Sequence, residues 1–317
     1  MGDDPAAKRN EPCGALRAAL GRYRLATSAP QAAWGFQSRL RIVQGVGIHD
    51  RASLNSPSVA PRLVLLHGLA VSHRYLMPRA ARLADHQPTH VVEPPGSGLS
   101  SDPIKVLDVA EHADRVAAWL KTTRLLPVVV LGNSSGCQVA VDLAVRYPNC
   151  ICGLILVGPT VDPAARTASR QILRWLRDTL QEDPLQLPIL LRHVRDAGLR
   201  RVAGTLAPAV RDPMEGKLPL VTVPTLVTRG AEEPVVPMAW AQAASRLLPH
   251  GELAVVPASP HNANCSADDH LAPLVLAFLC RQALPGAGSG WDITSPLTPA
   301  SDLGKRWSAR RLALDSR

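Results

Sequence analysis

The sequence has few aromatic residues and lacks long apolar runs. Aromatic side chains make up 3% of the 317 residues. No uninterrupted apolar stretch approaches the ~18 residues that a membrane-spanning helix needs. The first residues, Met1-Gly2-Asp3-Asp4, carry acids rather than a cationic start followed by an apolar run, so the pattern of a secretory signal peptide is missing. We therefore expect no integral membrane association and a cytoplasmic location.

The sequence also lacks the patterns that bind metals and phosphates. The chain has six cysteines, and the pair in Cys150-Ile151-Cys152 has no companion pair at the spacing of a zinc site. Cys137 and Cys280 lie within apolar segments, so buried free thiols are expected rather than disulfides. Because a phosphate-cradling glycine loop is missing as well, we expect no metal and no organic cofactor.

The charge balance is basic but shows no nucleic-acid signature. The formal net charge is +9, yet the arginines are scattered and the few aromatic residues form no stacking platform between them. We expect a diffuse basic surface, no nucleic-acid partner and a small-molecule substrate. Apolar residues make up 46% and charged residues 19% of the chain, which is typical of a globular protein with a substantial core.

Strand and helix patterns alternate along most of the chain, which predicts the fold class and its division into parts. We expect an α/β fold with a mostly parallel central sheet, helices on both faces and an inserted helical lid. The predicted parts are an N-terminal extension (1–38), a core made of two stretches (39–160 and 218–284), a helical lid (161–217) and a flexible C-terminal tail (285–317).

Local patterns place several of the elements. Two antiparallel strands joined by a glycine turn are predicted at Arg39–Gln44 and Val46–His49. The lid region contains helical segments and no convincing strand, and Pro208 is expected to follow the last of its helices. The predicted lid helices are Ala164–Leu180, Leu187–Asp196 and Gly198–Ala207.

The segment from Val128 to Cys137 predicts a nucleophile elbow. It combines a short buried strand, the turn Gly132-Asn133-Ser134-Ser135-Gly136 and the start of an amphipathic helix. A serine in such a bend projects its hydroxyl from the sheet, and the two glycines leave room for the bend. The positive end of the helix dipole points at the place where negative charge would develop. Ser134 is therefore the candidate nucleophile.

A serine hydroxyl needs a base, and the base needs an orienting acid. The candidate base is His261, which follows the last predicted strand, so its loop would lie over the elbow. The candidate acid is Glu233, which lies in the loop after the preceding strand. Glu232 is the alternative acid from the same loop.

An oxyanion would need two N–H donors aimed at the developing charge. We expect one from the backbone of Ser135, directly after the nucleophile, and the second from the backbone of Leu69, in the loop after a buried strand. Both donors belong to the main chain, so the side chains at these positions are unconstrained.

In combination these segments resemble the lid-bearing members of the α/β-hydrolase fold family over about residues 40–284. The order of nucleophile, acid and histidine in that family is met by Ser134, Glu233 and His261. Two residues depart from its usual pattern, because Glu93 and Glu233 stand where the family usually carries aspartate. The matching segments are His67-Gly68, Glu93–Ser100, Gly132–Gly136, Gly230–Pro237 and Pro260-His261.

The resemblance implies a serine hydrolase that cleaves a carboxylic ester or related acyl bond through an acyl-enzyme. One alternative is carbon–carbon bond hydrolysis of the meta-cleavage product type, which the Gly132-Asn133-Ser134 element resembles. Cofactor-free haloperoxidase-like chemistry and a non-catalytic ligand-binding role are further alternatives. We expect a small or medium apolar acyl substrate, and the sequence leaves the substrate's identity and the oligomeric state open. Six lid residues would line its pocket if the lid helices face down, and packing of the same residues against the core is the alternative. They are Trp175, Leu176, Leu187, Ile189, Leu190 and Leu191.

Overall fold

The computed structural model describes residues 35–57, 61–69, 71–180, 195, 198–257, 259–261 and 268–281. The predicted C-terminal tail lies outside the described residues, and so does the N-terminal extension up to residue 34. The predicted lid helix Leu187–Asp196 also lies outside them, except for Arg195. In the part of the chain that is described, no helix is long and apolar enough to cross a membrane.

The strands form one eight-stranded sheet in the order β1-β2-β4-β3-β5-β6-β7-β8. The first two pairings, β1 with β2 and β2 with β4, are antiparallel, and the other strand pairs are parallel. The strands are β1 Phe36–Val43, β2 Val46–Ser53, β3 Arg62–Leu66, β4 Thr89–Glu93, β5 Val128–Asn133, β6 Ile151–Val157, β7 Thr225–Gly230 and β8 Gly251–Val256.

Helices cover both faces of this sheet. They are α1 His73–Ala84, α2 Val109–Thr123, α3 Gly136–Arg146, α4 Ala168–Thr179, α5 Leu199–Arg211, α6 Met214–Lys217, α7 Met238–Leu247 and α8 Asp268–Arg281. Helices α1 and α8 contribute to one apolar core, and α2, α3 and α7 contribute to the core on the opposite face. Every residue of the central strand β5 is buried, because a parallel strand covered on both faces reads as a continuous apolar run. The predicted fold class is confirmed.

The sheet begins earlier in the chain than predicted. Strand β1 starts at Phe36, inside the segment assigned to the N-terminal extension, because the Phe36 side chain is fully buried in one of the two cores. Gln44 and Gly45 form the turn to β2 with φ angles of 50° and 75°. Such a pair of left-handed residues matches the twist of a two-residue hairpin.

The described part of the segment between β6 and β7 contains helices and no strand. The first predicted helix begins at Ala168 rather than Ala164, because the Thr167 side chain caps it by accepting a hydrogen bond from the backbone N–H of Arg170. Helix α5 continues through Pro208 to Arg211 instead of ending before the proline. Its last turn is held against α3 by Gln138, whose Nε2 donates to the carbonyl oxygen of Ala209 at 2.7 Å.

Candidate active site

Ser134 occupies a strained bend between β5 and α3. Its φ angle is +54°, a left-handed conformation that is uncommon outside glycine and that marks functional turns. The backbone N–H of Ser134 donates to the carbonyl oxygen of Val157 at 2.8 Å, and its own carbonyl accepts from the N–H of Cys137 at 3.0 Å. The bend is therefore tied both to the neighbouring strand and to the helix that follows.

The two glycines that flank this bend are required by close backbone approaches. A Cβ on Gly132 would lie 2.6 Å from the carbonyl oxygen of Gly136. A Cβ on Gly136 would lie 2.5 Å from the carbonyl oxygen of Leu66. Both contacts are with main-chain atoms that cannot rotate away, so the local sequence pattern has a direct steric cause.

Ser134, His261 and Glu233 meet at one edge of the sheet. They follow β5, β8 and β7 respectively, and the carboxyl ends of parallel strands share an edge. The Nε2 atom of His261 lies 2.9 Å from the Oγ atom of Ser134. The Nδ1 atom of His261 is hydrogen-bonded to the Oε1 atom of Glu233. A carboxylate can only accept, so the imidazole proton lies on Nδ1 and Nε2 offers its lone pair to the serine hydroxyl.

The structure distinguishes the two candidate acids of the loop after β7. Glu233 is buried, and its Oε2 also accepts a hydrogen bond from the backbone N–H of Gly230 at 3.0 Å. The loop is braced by Arg229, whose Nη2 donates to the carbonyl oxygen of Glu233 at 2.7 Å. Glu232 is exposed, and Glu233 is the member of the pair that contacts His261.

Gly158 makes room for this arrangement, and sequence reasoning missed it. It directly follows β6 and has a φ angle of +57°. A Cβ there would lie 2.9 Å from the His261 ring and 3.2 Å from the Oε1 atom of Glu233. The only signal in the sequence is a glycine directly after a buried strand, which also occurs at many ordinary turns.

The predicted oxyanion donors lie beside Ser134. Ser135 directly precedes α3, and Leu69 follows Gly68, where a Cβ would lie 3.1 Å from the Ser134 Cβ. The loop after β3 therefore runs against the bend at Ser134. Both Leu69 and Ser135 line a cavity of about 480 Å³ next to the bend.

Both polar and apolar side chains line this cavity. Its lining comes from the loop after β3, the turn after β4, the first part of α2, the start of α3 and the middle of α5. Three buried polar atoms of lining residues have no hydrogen-bond partner among the residues that the structure describes, and they are His67 Nε2, His112 Nδ1 and Gln138 Oε1. Burial lowers the pKa of His112 to about 4 and also lowers the pKa of His67, so both rings are neutral at pH 7.

The predicted apolar lining from the lid is wrong where it can be compared. Trp175 and Leu176 do not belong to the cavity wall, and half of the Leu176 side chain is exposed. Of the inserted helices that the structure describes, α5 contributes to the wall, through Arg201, Val202 and Thr205 among others. Helix α4 instead lies over the loops that carry His261 and Glu233. The other predicted lid residues, Leu187, Ile189, Leu190 and Leu191, lie outside the described residues.

Glu93 anchors a buried polar cluster beneath the cavity. Its Oε2 accepts from His49 Nδ1 at 2.8 Å and from the backbone N–H of Leu99 at 2.8 Å. Its Oε1 accepts from His73 Nδ1 at 2.7 Å and from the His73 backbone N–H at 2.9 Å. Burial alone would raise the pKa of Glu93, but His73 and His49 outweigh it and hold the pKa well below its usual range. The larger carboxylate fits because Gly98 has no Cβ, which would lie 1.7 Å from the Glu93 Oε1.

Among the described residues, His49, His73 and Glu93 are the one group with the composition and proximity to hold a metal ion. Their candidate ligand atoms all lie within 4.8 Å of one another. Each of these atoms already takes part in a hydrogen bond within the cluster, and the second nitrogen of His49 contacts the Ser38 Oγ at 2.7 Å. Hydrogen bonding alone therefore accounts for the arrangement of these side chains.

Comparisons with known proteins agree with this architecture. Residues 61–191 match the model of the alpha/beta hydrolase fold family. A 2-(acetamidomethylene)succinate hydrolase of Mesorhizobium japonicum is 24% identical over 237 residues, which cover 64% of this chain and 82% of that protein. A pimeloyl-[acyl-carrier protein] methyl ester esterase of Xanthomonas oryzae pv. oryzae is 28% identical over 229 residues, covering 63% and 88% of the two chains.

The solved structures extend the likeness in fold. A thermophilic esterase from Thermogutta terrifontis superposes with a TM-score of 0.66 at 19% identity, covering 78% of this chain and all of that one. The family match includes the strand before the bend, the bend itself and the helix after it. Together with the order of the eight strands, these findings show that the chain has the α/β-hydrolase fold.

Proposed function

We propose that the protein is a serine hydrolase that cleaves a carboxylic ester or related acyl bond through an acyl-enzyme. The observation that carries this proposal is the unbroken hydrogen-bond chain from the Ser134 hydroxyl through the His261 ring to the Glu233 carboxylate. The three side chains come from separate loops at one edge of the sheet, and the chain ends beside a cavity large enough for a small molecule.

In the proposed reaction the Ser134 oxygen attacks the substrate carbonyl while its proton passes to the His261 Nε2. The Glu233 carboxylate keeps the ring in the tautomer that can take this proton, and it stabilises the imidazolium that results. The backbone N–H groups of Leu69 and Ser135 stabilise the charge on the former carbonyl oxygen. His261 then returns the proton to the leaving group. In the second half of the reaction His261 takes a proton from the water that attacks the acyl-enzyme, and it gives this proton to the departing Ser134 oxygen.

The cavity supports a substrate with both apolar and polar parts. Its volume of about 480 Å³ falls in the range of small-molecule sites. Apolar side chains of its wall would pack against a short acyl chain, and the neutral His67 and His112 would contact an uncharged polar group. We propose that the inserted helices form a lid over this cavity, with α5 as its inner wall. The apolar side chains include Leu69, Val71, Leu99, Val106, Val139 and Val202.

The test is labelling with a fluorophosphonate probe, which modifies only activated serines. We expect the wild-type protein to be labelled at Ser134 and to hydrolyse p-nitrophenyl butyrate. The Ser134→Ala variant should remain unlabelled and should not hydrolyse this ester. A wild-type protein that resists the probe and hydrolyses no ester would contradict the proposal and favour the non-catalytic alternative. An unfolded variant would also escape labelling, so circular dichroism is used to check that the wild-type protein and Ser134→Ala are both folded.

A further inference from the structure

Helix α4 buries a carboxylate against the loop that carries His261. Asp178 lies at the end of this helix and is fully buried. Its Oδ1 atom accepts a hydrogen bond of 2.8 Å from the backbone N–H of His261, although the two residues are 83 positions apart. Since the donor is the main chain of His261, this contact fixes the backbone position of the residue. It does not contact the imidazole ring.

The exposure pattern of α4 runs against the usual pattern of an amphipathic helix. Its buried residues are Gln171 and Asp178, both polar, whereas Ile172, Leu173 and Leu176 are each about half exposed. Removing an aspartate from water is costly unless hydrogen bonds compensate for the lost solvation. The contact with His261 supplies one such hydrogen bond to the buried side chain.

The same helix also contacts the loop that carries Glu233. Arg174 lies four residues before Asp178, so the two side chains project from neighbouring positions on one face. The Nη1 atom of Arg174 donates to the carbonyl oxygen of Val235 at 3.3 Å, two residues beyond Glu233. Its Nη2 atom pairs with the Oδ2 of Asp162 at 2.8 Å, which holds the guanidinium in place.

We propose that Asp178 is a positioning residue for His261, and that Arg174 plays the corresponding, weaker part for the loop of Glu233. This inference rests on the proposed function, because it assigns both residues to the geometry of that reaction. Neither residue lines the cavity, so neither is expected to touch the substrate. Through these two contacts the inserted segment would help to set the distance between the His261 ring and the Ser134 hydroxyl.

A positioning role predicts that substitutions of Asp178 lower kcat and leave KM nearly unchanged. In Asp178→Ala the His261 loop loses its anchor, and we expect kcat for p-nitrophenyl butyrate to fall about 30-fold while KM stays within about threefold. Asp178→Asn keeps an oxygen that can accept the same N–H, so its kcat should remain within about threefold of wild type. Rescue by asparagine distinguishes positioning through this hydrogen bond from a need for the charge.

Arg174→Met gives a second, milder test, with an expected fall in kcat of about fivefold. The matched control is Arg170→Ala, because Arg170 lies one turn earlier and contacts the carbonyl oxygen of Ala164 within the inserted segment itself. We expect this control to match wild type. The Arg174 variant decides the question should Asp178→Ala fail to fold.

Three outcomes would overturn the inference. A folded Asp178→Ala variant with wild-type kcat and only a lower melting temperature would show a purely structural role. An Asp178→Asn variant as impaired as the alanine variant would exclude the hydrogen bond as the cause, and an Arg174→Met variant indistinguishable from Arg170→Ala would remove the second contact. Failure of the proposed function looks different, because wild-type protein would then show neither probe labelling nor ester hydrolysis.

Discussion

The Nε2 atom of His261 lies 2.9 Å from the Oγ atom of Ser134, across 127 positions of the sequence. This distance allows direct transfer of the hydroxyl proton to the ring without movement of either loop. The second nitrogen of the same ring is already engaged by Glu233. Both ring nitrogens of His261 therefore take part in a hydrogen bond, one with Ser134 and one with Glu233. The geometry around this ring leads to predictions that can be tested separately.

The first prediction compares the neighbouring acids Glu233 and Glu232. Glu233→Gln keeps the shape of the side chain but removes the charge that stabilises the imidazolium, and we expect kcat to fall by about 10² to 10⁴-fold. Glu232→Gln changes an exposed side chain and should leave kcat within about twofold. Steady-state hydrolysis of p-nitrophenyl butyrate measures both. Equal losses in the two variants would contradict the assignment of the acid.

The second prediction concerns the space beside the His261 ring. In Gly158→Ala the new Cβ would lie 2.9 Å from the ring, and the φ angle of +57° disfavours alanine as well. We expect kcat to fall at least about tenfold, because the ring must move away from Ser134. Gly216→Ala is the matched control, since a Cβ at Gly216 meets nothing within 4 Å. A Gly158→Ala variant as active as this control would show that the ring position is not critical.

The third prediction concerns the stability that Glu93 contributes. Glu93→Gln replaces a buried carboxylate that accepts four hydrogen bonds, two of them from histidine rings. We expect a loss of about 3 kcal/mol in the free energy of unfolding, measured by urea denaturation at pH 7.5. Glu111→Gln is the control, because Glu111 is a helix-capping residue near the surface and glutamine can replace it there. Equal stability of the two variants would mean that the charge of Glu93 is dispensable.

The fourth prediction is a pH dependence of stability. Burial lowers the pKa of His112 from 6.5 to about 4, so the folded protein resists protonation at this ring while the unfolded chain accepts the proton. Stability is therefore lost as pH falls below 6.5, and between pH 7.5 and pH 5 this ring alone accounts for about 2 kcal/mol. Urea denaturation of wild type and His112→Asn at both pH values isolates its share. The prediction fails if the two proteins lose the same stability on acidification.

Much of the sheet and the site could be predicted from local patterns. Buried strands, the Gly-x-Ser-x-Gly bend and the order of Ser134, Glu233 and His261 are all properties of short segments. The sequence also indicates that loops at one edge of a parallel sheet converge, and the structure brings these three side chains within hydrogen-bonding distance. Order along the chain could not rank Glu233 over Glu232 with certainty, because adjacent residues of a loop differ only in the direction of their side chains.

Other features depend on how distant segments pack and could not be predicted in this way. Glu93 meets His49 because β2 pairs with β4 in a register that places these residues opposite each other. The contact of Asp178 with the backbone of His261 depends on where the inserted helix α4 settles on the core. The expected lining by Trp175 and Leu176 was wrong for the same reason, since α5 rather than α4 lies over the cavity. Periodicity gives the faces of a helix but not the surface that each face meets.

The most direct test of the account is to trap the acyl-enzyme. Wild-type protein is mixed with p-nitrophenyl butyrate, quenched with acid within milliseconds and analysed by intact-protein and peptide mass spectrometry. We predict a butyryl adduct on the peptide that contains Ser134, formed in a burst with p-nitrophenol, which Glu233→Gln slows and Ser134→Ala abolishes. Ester hydrolysis that proceeds without any adduct, or with the adduct on a different residue, would contradict the central claim that Ser134 is the nucleophile.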